Sequence, residues 1–166
     1  MAFGGNRYSL LSKALLDSKE QLEKIWNSEN GKNLKALFEK ITISISGVGS
    51  WFPELNSPLA REEYLSGDNI KKLQEKNICA DIMLHFIDRN GKECETELKY
   101  KTLTISLETY RKIPVKIVAA SGSYKADSIL ALLRGNLVDV LIMDYELAKT
   151  VSLKLDCNKG KDNGTI

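Results

Sequence analysis

Between the aliphatic run Val115–Ala120 and an amphipathic segment whose apolar face is Ile129, Leu132 and Leu133 lies Ser121-Gly122-Ser123-Tyr124-Lys125. A strand passing through small residues into a helix would bring free backbone N–H groups, the positive end of a helix dipole and the Lys125 ammonium to one spot. That is the chemistry of an anion or phosphate site. The bland alternative is an N-cap serine and a solvated lysine, and spacing alone does not choose between the two. The loop lacks both the G-x-x-x-x-G-K-[ST] and the G-x-G-x-x-G spacing, which argues against a nucleotide. Two other loops could stand beside it, Gly47-Val48-Gly49-Ser50 and Asp144-Tyr145-Glu146.

The remaining reactive residue types point to less. His85, the single histidine, sits inside the apolar run 82–87, where a packing or hydrogen-bonding role is the ordinary one. Cys79, Cys94 and Cys157 are odd in number and have no C-x-x-C spacing, so neither a disulfide framework nor a metal site is expected. Trp51 and Phe52 beside Pro53 are either a contact surface or anchors buried by their loop.

The elements that would position these loops follow from changes of period. Residues 18–28 and 33–40 read as two short amphipathic helices separated by Asn30-Gly31, and ITISIS (41–46) alternates isoleucine with hydroxyl residues as a strand does. LAREEYL (59–65) and GDNIKKLQEKN (67–77) read as helical turns. ADIMLHFID (80–88) reads as one buried strand turning through Arg89-Asn90-Gly91-Lys92 into 93–105. SLETYRKI is a short helix capped at Ser106, and from Pro114 onward strand, helix, strand and helix alternate. Such a βαβα unit pairs its strands in parallel, and ligands of α/β sheets sit beyond the carboxyl ends of the strands.

Composition bounds the function. The 166 residues suit one ordinary domain, and 24 Lys+Arg against 22 Asp+Glu leave a net charge of +2, too balanced for a DNA-binding surface. Hydrophobic residues at 43% with aromatics at 7% describe an aliphatic core. No apolar run reaches bilayer length and the N-terminus has no signal-peptide pattern, so a cytoplasmic protein without membrane contact is expected.

The order of several motifs resembles a known family. SGVGSW (46–51), EEYLSGDNIKKLQEKNICADI (62–82), FIDRNGK (86–92) and TISLETYRKIPVKIVAASGSYKADSILALLRGNLVDVLIMD (104–144) look like the sugar-binding effector domain of SorC-type bacterial transcriptional regulators. Their order and spacing, over about residues 10–150, carry the likeness. The resemblance implies an α/β fold with a largely parallel sheet flanked by helices and a small hairpin around residues 80–105. That fold is similar to glucosamine-6-phosphate deaminase and ribose-5-phosphate isomerase, used for sensing a phosphorylated sugar without a cofactor. By position, Lys125 with the backbone of Ser121, Gly122 and Ser123 would hold the phosphate. Asp81 would accept from sugar hydroxyls, and Gly47, Gly49 and Ser50 would form a turn at the pocket edge. Ser121 stands where the family has the first glycine of an Ala-Gly-Gly loop.

The family's helix-turn-helix and the first part of its effector domain have no visible counterpart. The expected organisation is therefore a partial effector domain over 1–155 with a disordered tail at 156–166. Operator DNA would be contacted through a separate domain, and the effector domain would form a homo-oligomer. Two rivals remain. A sugar-phosphate isomerase or deaminase needs a positioned base, for which His85 and Asp81 are a thin set, and a ligand-free oligomerisation module needs no pocket at all.

Overall fold

Serine sets where the helices start. Ser18, Ser28, Ser66 and Ser106 each lie in extended backbone and accept a hydrogen bond from the N–H three residues on, satisfying a donor that a helix leaves open. They launch α1 (Lys19–Asn27), α2 (Glu29–Phe38), α3 (Gly67–Glu75) and α4 (Leu107–Arg111). These elements come from a computed structural model that describes residues 12–61 and 64–162, with residues 4, 7 and 8 ahead of them and side chains as far as Cys157. The first two helices part at Ser28, not at Asn30-Gly31. The Ser28 N–H and hydroxyl both donate to the Ile25 carbonyl while its oxygen caps α2. Gly31 is instead buried in the first turn of α2, where a side chain would collide with the Ile25 backbone.

The parallel sheet forms as the alternation of elements requires. β1 (Ile43–Ser46), β5 (Val115–Ala120) and β6 (Val140–Met143) pair in parallel in the order β1-β5-β6, with α5 (Ala126–Arg134) crossing over between the last two. One face carries the main core, in which Val118 packs with Ile129 and Leu132 of α5, Tyr110 of α4, and Leu147 and Val151 of α6 (Tyr145–Asp162). Lys116 is buried on that side, and its ammonium donates to the Ile113 carbonyl and pairs with Asp139 at 2.6 Å. In β1 the alternation runs against the usual sense. Ile43 and Ile45 point to solvent while Ser44 and Ser46 point inward with hydroxyls that have no partner.

A second sheet is antiparallel, β2 (Gly49–Ser50) with β3 (Ile78–Ile82) with β4 (His85–Asp88). The single strand expected over 80–88 is therefore a hairpin, turning at Met83-Leu84, both with positive φ. Neither residue type signals such a turn. Burial outweighs backbone preference here, since Met83 packs on the main core and Leu84 on a second cluster built from Trp51, Leu59, Leu73 and Phe86. The turn at 89–92 exists, with the Asp88 carboxylate accepting from the Asn90 and Lys92 N–H groups. Beyond one bridge at Glu93, however, the following segment becomes a 3-10 turn over Glu97–Tyr100 in place of a strand. LAREEYL likewise gives only a 3-10 turn, Pro58–Ala60, capped by Ser57; residues 62 and 63 lie outside the described set.

The last helix, α6, runs Tyr145–Asp162, past residue 155 where the ordered chain was expected to end. The segment up to Cys157 has no proline to stop it. Residues 163–166 lie outside the described set. No helix among the described residues is long and apolar enough to cross a membrane.

Candidate functional site

Where the chain leaves β1 it enters Gly47-Val48-Gly49, and β2 then pairs Gly49 directly with Asp81 of β3. The absence of a side chain at Gly49 is what admits the Asp81 carboxylate, because a Cβ there would overlap it. The indole N–H of Trp51 donates to Asp81 Oδ1 at 2.7 Å, and Trp51 is itself buried edge-on against Phe86, with ring centroids 5.3 Å apart. Burial pushes the Asp81 carboxyl above its ordinary pKa, against the opposing hydrogen bonds of Ser57 and Trp51 and the charge of Lys125. Lys125, in the turn before α5, reaches the same place and uses one of its three donors on the Val48 carbonyl, at 3.0 Å. Ser46, Gly47, Gly49, Asn56, Asp81 and Lys125 line a cavity of about 530 Å³ together with Met83, Leu84 and Thr104. A buried carboxylate suited to accept from hydroxyls and an ammonium suited to meet an anion thus share one cavity.

Of the sequence candidates, Gly47, Gly49, Asp81 and Lys125 come together there. Ser50 does not line the cavity. It is fully buried behind it, and its hydroxyl donates to the Phe52 carbonyl. Ser121, Gly122 and Ser123 are also outside the lining. Gly122 has a positive φ that glycine adopts freely, and its N–H is taken by the Asp144 carboxylate at 2.6 Å, which also accepts from Leu147 at the start of α6. These two backbone bonds hold the Asp144 carboxyl below its ordinary pKa. No side chain caps the 3-10 turn Ser123–Lys125 or the start of α5.

Asn56 and Thr104 have no sequence signal, and Trp51 reads there only as a contact residue or loop anchor, not as a partner of Asp81. Trp51 orients Asp81 across 30 positions of chain, Asn56 donates to the Tyr124 hydroxyl at 3.0 Å and so ties the 51–57 loop to the turn before α5, and Thr104 donates to the Met83 carbonyl. Each depends on a loop path. His85 is engaged on both sides, its Nδ1 against Glu93 at 2.6 Å and its Nε2 against the Ile105 carbonyl at 2.8 Å. Burial raises the Glu93 carboxyl, but the hydrogen bond and charge of His85 with those of Lys99 bring it below its ordinary value. Burial pushes the Cys79 and Cys94 thiols up to about 11, leaving both protonated at neutral pH.

Residues 1–152 match a family model described as "Putative sugar-binding domain". The chain belongs to that family. The sorbitol operon regulator of Klebsiella pneumoniae is 26% identical over 136 residues, 82% of this chain and 42% of that one. Among solved structures, a transcriptional regulator from Streptococcus pneumoniae TIGR4 superposes with a TM-score of 0.79 at 29% identity, over 90% of this chain and 56% of that one. The full-length sorbitol operon regulator SorC from Klebsiella pneumoniae gives 0.76 at 25%, over 86% and 44%. The resemblance drawn from the motif order therefore holds at the level of family and fold. The sugar-binding domain here spans under half the length of the curated regulator it matches.

Proposed function

We propose that this chain is the sugar-sensing part of a transcriptional regulator, and that it binds a phosphorylated sugar in the cavity between Gly47, Gly49, Asp81 and Lys125. The observation that carries the reading is the pairing of a buried, hydrogen-bonded carboxylate with the Lys125 ammonium on one cavity. Asp81 takes the sugar hydroxyls, while Lys125 and the uncapped turn Ser123–Lys125 take the phosphate. Ser121 and Gly122 lead the chain into this turn, of which Ser123 is the first residue, and Ser50 acts by holding the neighbouring loop. The relatives' names speak for regulation rather than turnover, and both nitrogens of His85 are already engaged. Ligand binding shifts an equilibrium between arrangements of a homo-oligomer, and a DNA-binding domain outside this chain changes its operator affinity by the same free energy.

Calorimetric titration with glucose 6-phosphate, fructose 6-phosphate, ribose 5-phosphate and sorbitol 6-phosphate, each beside its unphosphorylated counterpart, tests the reading. Saturable binding of at least one phosphorylated member is expected. Lys125→Ala should weaken it about 10- to 100-fold while leaving the unphosphorylated sugar little changed, the size of one charge-assisted contact. Equal affinity with and without the phosphate would refute the anion role of Lys125.

A further inference from the structure

Tyr124 stands between two features of the candidate cavity. It precedes Lys125, whose ammonium lies 6.0 Å from the centre of its ring, and its hydroxyl accepts from Asn56 Nδ2 at 3.0 Å across 68 positions of chain. Asn56 lines the cavity, and a pair of backbone hydrogen bonds with Ser50, 2.8 and 3.1 Å long, fixes its place. On its other side the ring covers Gly122. A Cβ at Gly122 would overlap the Tyr124 ring, so this positive-φ glycine both turns the chain and leaves the space in which the ring lies. The Asn56–Tyr124 bond is exposed, and water would satisfy both groups without it; what the bond adds is a fixed orientation of the phenol.

A phenol hydroxyl accepts and donates at once. Tyr124 accepts from Asn56, and among the described residues its own proton has no acceptor. Lys125 spends one donor on the Val48 carbonyl and keeps two. Two successive residues thus hold unspent donors, one on a side chain that lines the cavity and the other on an oxygen tied to a second lining residue.

We infer that Tyr124 is a further ligand-binding residue of this cavity, donating its hydroxyl proton to a phosphate oxygen beside the Lys125 ammonium, and that Asn56 is the residue that positions it. The inference rests on the sugar-phosphate reading above and adds a specificity-determining group to it. A phosphate monoester offers three strong acceptor oxygens where an unphosphorylated sugar has one hydroxyl, so only the phosphorylated ligand engages Lys125, Tyr124 and the turn N–H groups together.

Calorimetric titration of wild type, Tyr124→Phe, Asn56→Ala and the double variant tests it, with the sugar phosphates of the panel above and inorganic phosphate as probes and the comparison made on the tightest binder among them. Tyr124→Phe keeps the ring over Gly122 and removes one oxygen, so its unfolding temperature should stay close to that of wild type while its affinity for the phosphorylated probe falls about 10-fold. Affinity for the unphosphorylated counterpart should not change. Asn56→Ala should weaken the phosphorylated probe about 3-fold alone and by no further factor in the Tyr124→Phe background, where nothing is left to position. A Tyr124→Phe variant that binds as tightly as wild type, or that loses the phosphorylated and unphosphorylated forms equally, would overturn the phosphate contact and leave the cavity reading in place. Equal effects of Asn56→Ala in both backgrounds would overturn the positioning role. A wild-type chain that binds neither the sugar phosphates nor inorganic phosphate would overturn the sugar-phosphate reading, and this inference with it.

Discussion

Asp81 shows what burial does to a carboxylate whose charge is only partly compensated. Its folded pKa is raised, chiefly by burial, so between the unfolded value near 4 and the higher folded value the native state binds more protons than the unfolded chain. The charged form therefore costs stability at neutral pH, and that cost disappears as pH falls through the folded pKa. Asp81→Asn keeps an oxygen for the Trp51 indole but carries no charge, so it should unfold at a higher temperature than wild type at pH 7, with the gap closing toward pH 4. The same variant should bind a sugar phosphate about 10- to 100-fold less tightly, because a charged acceptor is lost. Thermal unfolding from pH 4 to 8, paired with titration, checks both signs; a lower unfolding temperature at pH 7 with unchanged affinity would give Asp81 a purely structural role. Asp81 was visible in the sequence through the motif order alone, and Trp51 was invisible as its partner because their meeting depends on β2 pairing with β3.

At the scale of elements, the Lys116–Asp139 pair shows the opposite electrostatics. The Lys116 side chain and backbone N–H both donate to Asp139 and hold its carboxyl below the usual carboxylate range. A depressed folded pKa contributes stability that is complete above the unfolded value near 4 and is lost as pH falls through the folded one. Asp139→Asn removes the carboxylate charge beside the buried Lys116 ammonium and leaves it only neutral oxygen acceptors, the Ile113 carbonyl among them. It should cost about 1–3 kcal/mol, less than a wholly buried pair because Asp139 is partly exposed, measurable as a lower midpoint in urea with an unchanged slope.

Periodicity made the parallel unit from Val115 to α6 legible, since β5, α5 and β6 each have length, pattern and punctuation in agreement. It failed where packing overrode local preference. Met83 and Leu84 turn the chain at positive φ because each side chain reaches a different hydrophobic cluster, a reason no run of nine residues displays. It also could not show that Ile43 and Ile45 face outward, because alternation identifies two faces without saying which is covered.

At the scale of the molecule, the two sheets meet where the candidate cavity lies. Ser46 ends β1 of the parallel sheet, Gly49 and Asp81 belong to the antiparallel one, and Lys125 precedes the helix whose Ser128 donates to the Cys79 carbonyl of β3. The proposed ligand, bridging Asp81 and Lys125, would tie the two sheets together, so that occupancy of a small cavity would bias the arrangement of the domain. The indole N–H groups of the two tryptophans report on this directly. Trp51 is bonded to Asp81, whereas Trp26 lies on a separate cavity of about 510 Å³ beside His85 and Glu93. In a 15N-labelled sample titrated with the tightest-binding sugar phosphate of the panel, the Trp51 indole resonance should shift with the binding isotherm. The Trp26 resonance should stay in place, and Asp81→Asn should abolish the Trp51 shift. Saturation that moves Trp26 and leaves Trp51 unchanged would contradict the placement of the sugar at Asp81.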